Sequence, residues 1–381
     1  MSSINPARLR KLTTWSHAAA SNELQQCIFN EKSIGLIDLC SNDYLNLSTH
    51  PEVIQAANRI MEEEGVGAGA SRLITGNRPI HNELETDLAK WLGQESVLVF
   101  PSGFQANLAA VIAIANRHTL VIADSLVHHS LLLGIQSVRA KLKRYKHNDL
   151  NELETILKQY DRKNDSGQQP IVITESLFSM EGSSPDIKQI GLLCEQFGAK
   201  LFVDEAHAIG IMGEEGRGLC YKHSLPLEII SGTFGKAFGS GGAFLASNAK
   251  MREHLIQTSG AFRYTTALAP PLAAASLAAL KLIQTNPEWG QNIQKRSQKW
   301  RKNLEQDGWP RPPGHGQILS VVIGEDSKTL DFQNHLQANG ILTMAIRPPT
   351  VPEGTSRLRL VLKKDLPHGT FKKLSNSLKT I

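Results

Sequence analysis

Cysteine is scarce in this 381-residue chain, and its charge is nearly balanced. The four cysteines, Cys27, Cys40, Cys194 and Cys220, lie far apart and include no C-x-x-C pair. This spacing fits reduced thiols in a cytoplasmic protein better than a disulfide framework or a zinc site. No metal centre is expected.

Neither a strong charge excess nor a long apolar run is present. The net charge is +5 and the basic residues are dispersed, so no nucleic-acid or membrane partner is predicted. The most apolar segment, 267–280, is interrupted by Pro270 and Pro271 and is shorter than the roughly 20 residues of a membrane-spanning helix. The basic residues at 8–11 are followed by no apolar signal-peptide core, and we expect a cytoplasmic location.

Short apolar runs alternate with helical patterns through the middle of the chain. The predicted strands are 97–100, 120–123, 142–145, 171–174, 201–203, 228–230 and 243–246. Runs such as Ile171-Val172-Ile173 lack polar alternation, as expected where helices cover both faces of a sheet. The pattern predicts an α/β fold with a large, doubly wound, mostly parallel seven-stranded sheet.

Three regions are predicted along the chain. Residues 1–45 form an N-terminal arm, expected to be helical from about 4 to 29 and then to form a strand at 34–39. Residues 46–270 form the large domain, whose first helices run over 51–64 and 79–92, each beginning at a proline. Residues 271–381 form a smaller α+β domain with its linking helix; its strands are expected at 318–323, 342–344 and 357–362, and its second helix at 330–339.

One lysine stands among small residues directly after a predicted strand. Lys236 lies in the stretch 231–239, with glycines at 232, 235 and 239. A lysine in a tight, partly desolvated turn has a lowered pKa and can form a Schiff base with an aldehyde cofactor. This stretch alone does not distinguish such a lysine from an ordinary exposed loop lysine.

Polar residues follow several predicted strands, where ligands of open α/β sheets bind. They are Ser102, Gly103 and Phe104 after the first strand, Asp124 and His128 after the second, Glu175 and Ser179 after the fourth, Asp204 and His207 after the fifth, and Thr233 and Lys236 after the sixth. We expect these strand ends to form one cleft.

The pairing of Asp204 with Lys236 indicates pyridoxal phosphate. An aspartate facing the pyridine nitrogen keeps that nitrogen protonated and makes the cofactor an electron sink, whereas an isolated aspartate is more often a helix cap. The helix start at 102–107 offers backbone N–H groups to a phosphate, and Thr233 could add a hydroxyl. His128 could lie flat against the ring, with His129 as the alternative; a metal pair lacks a third ligand at suitable spacing.

Two competing motifs fail on their context. Asp204-Glu205-Ala206-His207 also spells a helicase box, but a phosphate loop would need glycine where Ile230 stands and serine or threonine where Ala237 stands. The glycine-rich run 65–70 closes a helix instead of following a strand, which excludes a dinucleotide-binding fingerprint.

The loop 345–352 holds Arg347 among three prolines. Arginine binds carboxylates bidentately, and a stiff loop reduces the entropic cost of binding. A solvated arginine in a surface loop is the alternative.

Taken together, these residues resemble the α-oxoamine synthases, fold-type-I pyridoxal-phosphate enzymes that condense an amino acid with an acyl thioester. The resemblance extends from about 39 to 362. It rests on Ser41-Asn42-Asp43-Tyr44-Leu45, Ser71-Arg72-Leu73-Ile74-Thr75-Gly76, Ser102-Gly103-Phe104, Asp204-Glu205-Ala206-His207, Thr233-Phe234-Gly235-Lys236 and Arg357-Leu358-Arg359.

The resemblance implies a role for each candidate residue. Lys236 would be the Schiff-base lysine, Asp204 the partner of the pyridine nitrogen, His207 a ligand of the phenolic oxygen and His128 the residue stacked on the ring. Ser179 and Thr233 would contact the cofactor, Gly103 and Phe104 would line its site, and Arg347 and Thr350 would bind substrate. A homodimer is implied as well, with the site at the subunit interface and Thr265 or Thr266 reaching the neighbour's phosphate.

Within that family, the loop 345–352 is most similar to that of members that condense L-alanine with a pimeloyl thioester, carried by coenzyme A or a carrier protein, in biotin synthesis. A sister synthase using glycine or serine is the alternative. A subunit without catalytic activity is disfavoured, because Lys236, Asp204 and His207 are all present. Two departures stand out: Phe104 replaces a common tyrosine, and no N-terminal substrate arginine is found between His17 and Phe29.

Overall fold

The structure, a computed structural model, describes residues 5–17, 23–28, 31–32, 35–161, 168–221, 223 and 225–381. The chain divides into two compact units. The large unit comprises 47–178 and 184–288, and the small unit comprises 1–46, 179–183 and 289–381. The predicted domain boundaries at 45 and 270 stay predictions; the arm falls in the small unit, and the helix beginning at Pro270 falls in the large unit.

The elements are numbered along the chain. The strands are β1 Trp15–His17, β2 Glu23–Ile28, β3 Glu31–Lys32, β4 Leu36–Asp38, β5 Ser96–Phe100, β6 Leu120–Asp124, β7 Lys141–Tyr145, β8 Ile171–Glu175, β9 Lys200–Asp204, β10 Leu227–Thr233, β11 Ala243–Ser247, β12 Ile318–Gly324, β13 Ile341–Leu342, β14 Met344–Ile346 and β15 Ser356–Val361. The helices are α1 Pro51–Glu64, α2 Pro79–Leu92, α3 Gly103–Ile114, α4 His129–Ser137, α5 Leu150–Asp161, α6 Ile187–Gln196, α7 Ala249–Thr258, α8 Gly260–Arg263, α9 Pro270–Thr285, α10 Glu288–Gln306, α11 Asp326–Ala338 and α12 Thr370–Lys379.

The large unit is built on a seven-stranded sheet in the order β5-β11-β10-β9-β8-β6-β7. Strand β11 is antiparallel to both of its neighbours, and the other six strands run in one direction. Strands β5, β6, β8 and β11 are buried along their whole length, which explains their continuous apolar sequences. The predicted doubly wound sheet and its seven strands are confirmed.

Helices of the large unit begin and end where their sequences indicate. Pro51 and Pro79 occupy the first turns of α1 and α2, where no hydrogen bond from the proline nitrogen is needed. Gly93 closes α2 in the left-handed conformation at φ 63°, which glycine adopts without steric cost. Both predicted helices have the expected bounds.

The small unit contains a three-stranded sheet in the order β12-β15-β14 and a second sheet in which β1, β2, β4 and β13 are neighbours. The predicted helix over 4–29 is wrong for the described residues, which form a short 3-10 turn at Pro6–Arg8 and the strands β1 and β2. Pairing of β2 with β1 and β4 outweighs the helix propensity of glutamate, leucine and glutamine in this segment. The remaining residues of that prediction lie outside the described residues.

In the part of the chain that the structure describes, no helix is both long and apolar enough to span a membrane.

Candidate active site

The turn that carries Lys236 joins the neighbouring strands β10 and β11. Backbone hydrogen bonds close it, from Phe234 N–H to the Gly242 carbonyl, from Ser240 N–H to the Phe234 carbonyl and from Gly239 N–H to the Lys236 carbonyl, all at 2.9 Å. Gly239 has φ 62°, and a Cβ there would lie 2.2 Å from the Ser48 nitrogen, so no larger residue fits. The turn holds the Lys236 backbone at the carboxyl end of β10.

Asp204 ends β9, the strand beside β10, and pairs in register with Ser231. Its Oδ1 atom accepts a hydrogen bond from Ala206 N–H at 2.9 Å, and its Oδ2 atom accepts one from Asn107 Nδ2 at 2.7 Å. Both Asp204 and His207, three residues later, are buried. The carboxyl ends of β9 and β10 thus bring Asp204 and the lysine turn to the same sheet edge.

Helix α3 follows β5 at that edge. The Ser102 side chain caps it by accepting a hydrogen bond from Gln105 N–H at 3.3 Å. The earlier N–H groups of this first turn, at Gly103 and Phe104, have no acceptor within the helix and can serve an anion. A Cβ on Gly103 would lie 3.8 Å from the Thr233 side chain. Gln105 Nε2 donates to Thr265 Oγ1 at 3.2 Å.

His128 precedes α4 at the end of β6, and its side chain keeps an exposed face. Its Nδ1 atom lies 2.7 Å from Ser130 Oγ and accepts a hydrogen bond from Ser130 N–H at 3.3 Å. Desolvation of the ring lowers the pKa of His128, the Asp204 charge offsets this in part, and the Lys236 charge lowers the pKa further. Asp204 and Lys236 are therefore each near enough to influence His128.

Asp124 ends β6, and its hydrogen bonds go to the neighbouring turns. The Asp124 carboxylate is fully buried and accepts hydrogen bonds from Leu126 N–H at 2.8 Å and Asn148 N–H at 2.9 Å. Its Oδ1 atom also lies 3.0 Å from His147 Nδ1. Asp124 thus shapes the turns beyond β6 and β7, and the expectation that it joins the cleft stays a prediction.

Three predicted site residues lie in the small unit: Ser179, Arg347 and Thr350. The Ser179 carbonyl accepts a hydrogen bond from Arg359 Nε at 2.6 Å. Arg347 donates to the Ala7 carbonyl, and burial together with the charge of Arg10 lowers the pKa of Arg347.

Arg10 is a neighbour that the sequence interpretation missed. Its guanidinium donates to Thr350 Oγ1 at 3.0 Å, in the loop that holds Arg347. Arg10 lies before the segment 17–29, where the family resemblance predicts an N-terminal substrate arginine, and in the sequence it is only part of a basic cluster. Only the fold brings it to the loop 345–352.

The residues at the sheet edge fit pyridoxal phosphate. A helix N-terminus for a phosphate, a carboxylate for a pyridinium nitrogen, an imidazole with an exposed face and a lysine all follow parallel strands of one sheet. No group of three or more histidine, cysteine, aspartate or glutamate side chains in the described ranges is placed to hold a metal ion.

The chain belongs to the aminotransferase class I and II family, whose model matches residues 34–376. Two curated relatives that resemble this chain over most of its length are named 8-amino-7-oxononanoate synthase. The relative from Geotalea daltonii is 39% identical over 329 residues, covering 85% of this chain and 83% of the relative. The relative from Saccharophagus degradans is 37% identical over 346 residues, covering 90% and 86%.

Solved structures agree on the fold. A serine palmitoyltransferase from Sphingomonas wittichii superposes with a TM-score of 0.89 over 97% of this chain and 91% of that chain, at 24% identity. An 8-amino-7-oxononanoate synthase from Francisella tularensis superposes with a TM-score of 0.76 over 90% and 96%, at 27% identity. The predicted resemblance, fold type, enzyme class and cofactor are confirmed.

Proposed function

We propose that this chain is an 8-amino-7-oxononanoate synthase, which condenses L-alanine with a pimeloyl thioester and releases carbon dioxide and the thiol carrier. The observation that carries the proposal is the adjacency of the Lys236 turn and Asp204 at the ends of two strands paired in register. The extent of identity to the curated relatives supports the choice of substrates. Serine palmitoyltransferases share the fold at lower identity, so the sister reaction is less well supported.

Pyridoxal phosphate would supply the electron sink that stabilises the carbanion of the amino acid. Lys236 would bind the cofactor covalently, and its amine, once displaced by the substrate, would remove the α-proton. Asp204 would face the pyridine nitrogen and His207 the phenolic oxygen. Thr233, Ser179, Gly103 and Phe104 would complete the cofactor contacts, with the phosphate at the start of α3.

His128 would lie against the cofactor ring with its exposed face. Arg347 would bind the alanine carboxylate, assisted by Thr350, because a guanidinium presents two parallel donors to a carboxylate. Arg10 adds a second positive charge beside that loop and is our candidate for the missing N-terminal substrate arginine.

Several apolar side chains support a homodimer. Val66, Ile74 and Tyr264 are 74%, 75% and 81% exposed, and the segments that carry them are joined by a hydrogen bond from Ala267 N–H to the Ala70 carbonyl at 3.0 Å. Exposed apolar patches of this kind mark protein interfaces, and we infer that a second copy covers it. Sedimentation of the full chain should therefore give twice the chain mass.

The free thiols of Cys40, Cys194 and Cys220 support a cytoplasmic location, which cell fractionation tests.

Product analysis by mass spectrometry tests the function. The cofactor-loaded protein is incubated with L-alanine and pimeloyl-coenzyme A, beside glycine with acetyl-coenzyme A and serine with palmitoyl-coenzyme A. We expect 8-amino-7-oxononanoate to dominate. Dominance of another product would leave the class of enzyme intact and refute the substrate assignment.

Lys236→Ala should abolish both turnover and the absorbance of lysine-bound cofactor, because Lys236 is the amine that the turn after β10 supplies. The matched control is Lys250→Ala, which changes an exposed lysine in α7 and should retain both. A Lys236→Ala variant that keeps both signals would refute the assignment of the lysine.

A further inference from the structure

Four side chains of the large unit form one continuous hydrogen-bonded chain. Asn107 Nδ2 lies 2.7 Å from Asp204 Oδ2 and 3.0 Å from Ser130 Oγ, and Ser130 Oγ lies 2.7 Å from His128 Nδ1. These residues come from α3, β9, α4 and the loop before α4. These hydrogen bonds therefore connect Asp204 and His128, both proposed to contact the cofactor, through Asn107 and Ser130, which have no assigned role.

The direction of each hydrogen bond follows from the atoms involved. An amide NH₂ group only donates, so Asn107 donates to the Asp204 carboxylate and to Ser130 Oγ. The backbone N–H of Ser130 also only donates, and it lies 3.3 Å from His128 Nδ1. Both contacts are satisfied together when Nδ1 is unprotonated and the Ser130 hydroxyl donates to it. In that arrangement the ring proton of His128 is on Nε2.

Burial makes this series of four hydrogen-bonded side chains rigid. Ser130 is fully buried and Asn107 is 4% exposed, so water cannot replace their partners without reorganising the core. The Oδ1 atom of Asn107 is buried and has no hydrogen-bond partner among the described residues. The amide is held by its two donated bonds alone, at a cost that a purely structural side chain would avoid.

We propose that Asn107 and Ser130 are positioning residues that orient the Asp204 carboxylate and the His128 imidazole together and fix His128 as the Nε2–H tautomer. Helix α3 thereby serves two ends of one ligand: its first turn faces the proposed phosphate position, and Asn107, one turn later, holds the carboxylate proposed for the pyridine nitrogen. The inference rests on the proposed function for its purpose. Its hydrogen bonds are testable without substrate.

The first measurement is the protonation of the His128 ring nitrogens, by NMR of the full chain labelled with 15N-histidine and assigned with a His128→Gln variant. In the wild type, we expect the proton on Nε2 and none on Nδ1. Ser130→Ala should release this preference and populate both tautomers, and Ser130→Thr, which keeps the hydroxyl, should restore it. Asn107→Leu should also shift the His128 signals, although Asn107 makes no direct hydrogen bond to that ring.

The second measurement is the dissociation constant of pyridoxal phosphate from each variant. Loss of a hydrogen bond to the Asp204 carboxylate in Asn107→Leu should weaken cofactor binding by about tenfold or more. Because the two residues act in one chain, the double variant should lose less than the product of the two single losses. Ser276→Ala is the matched control, since it removes a fully buried serine hydroxyl bonded to the Leu272 carbonyl in α9.

A wild-type His128 with its proton on Nδ1, or His128 signals in Asn107→Leu that match those of Ser276→Ala, would overturn the proposal. Failure of the product assay with an intact tautomer response would refute the proposed function and leave the hydrogen-bonded chain standing. Correct product with no tautomer response would do the reverse.

Discussion

Arg301 in the small unit and Asn107 in the large unit are both buried polar side chains, but their hydrogen bonds end on different kinds of atom. The guanidinium of Arg301 donates to the Ser297 hydroxyl and to four backbone carbonyls, those of Pro312, Pro313, Gly316 and Ile318, the last at 2.8 Å. Asn107 donates only to side chains, and those side chains lead to Asp204 and His128.

The buried carboxylates of the two units differ in the same way. Asp38 in the small unit forms an ion pair with Lys363, which also donates to Ser41 Oγ at 2.6 Å. Glu205 in the large unit has no arginine or lysine in salt-bridge contact within the described ranges, and accepts hydrogen bonds from the N–H groups of Leu219 at 2.6 Å and Cys220 at 3.1 Å.

The difference separates two uses of buried polarity. A charge whose partners are backbone groups or one opposite charge joins parts of the fold, and its loss should reduce stability. A polar side chain whose partners are other side chains behind the proposed site, as for Asn107, should change the properties of that site more than the stability of the fold. Substitutions in the two units therefore test whether these two kinds of buried polar group have different effects.

The largest effect is expected for Arg301→Met. Burial, and then the charge of Arg311, lower the pKa of Arg301 to about 10. All three guanidinium nitrogens of Arg301 donate hydrogen bonds inside the small unit. The variant leaves four carbonyls in the interior without that donor, and we expect the free energy of unfolding to fall by about 4 kcal/mol in chemical denaturation. Lys302→Met, at the exposed neighbouring position, should change it little. Similar losses in both variants would contradict a structural role for the guanidinium.

A smaller loss, about 3 kcal/mol at pH 7, is expected for Asp38→Asn, which leaves Lys363 buried without its counter-charge. Burial raises the pKa of Asp38, but the charge and hydrogen bond of Lys363 outweigh it and hold that pKa below its ordinary value. The ion pair's contribution is thus present above about pH 4 and is lost as pH falls through the lowered pKa. The variant should lack this part of the acid dependence.

Denaturation of Asp38→Asn between pH 7 and pH 2 checks this expectation, with the exposed Asp331→Asn as control. If Asp38→Asn kept the acid dependence of the wild type, the pair would not be the source of that stability.

The smallest effect, and one of opposite sign, is expected for Glu205→Gln. Burial raises the pKa of Glu205 to about 7, and the hydrogen bonds from Leu219 and Cys220 offset only part of that rise. Because the folded state holds the proton more tightly than the unfolded state, stability is complete below about pH 4 and declines as pH rises toward 7. Glutamine needs no proton, so the variant should gain about 2 kcal/mol at pH 8 and lose that decline.

Thermal and chemical denaturation from pH 5 to pH 8 measures the difference, with the exposed Glu195→Gln beside it. A decline in Glu205→Gln equal to that of the wild type would show that another group titrates.

The sheet could be predicted from the sequence because its strands are buried on both faces. Continuous apolar runs such as those of β6 and β8 have one stable solution, a strand covered by helices. The helices α1 and α2 could also be predicted from the sequence, because each begins at a proline. The strands of the N-terminal segment could not be predicted from the sequence. Strand β2 is stabilised by pairing with β4, and no local sequence pattern in β2 indicates that pairing.

The candidate site was predictable only in part. Lys236 and Asp204 stand out because each directly follows an apolar strand in a distinctive turn. Asp124 follows a predicted strand in the same way, but its carboxylate accepts hydrogen bonds from neighbouring backbone N–H groups. These contacts are seen only in the structure. Asn107 and Asp204 are 97 residues apart, and Ser130 has no local signal beyond its place near His128. Their contact depends on how α3 and α4 pack.

The antiparallel position of β11 has a consequence for how the protein can vary. Thr233 and Ala243 pair in register on either side of the nine residues that carry Lys236. Main-chain pairing of β10 with β11 therefore fixes the positions of both ends of this loop. A single residue inserted or deleted within β10 or β11 would slip the register and turn the side chains beyond it to the opposite face of the sheet. Length changes should therefore be far less tolerated here than point substitutions. The distance from the lysine backbone to the end of β9 is set by main-chain pairing and does not depend on which side chains fill the core.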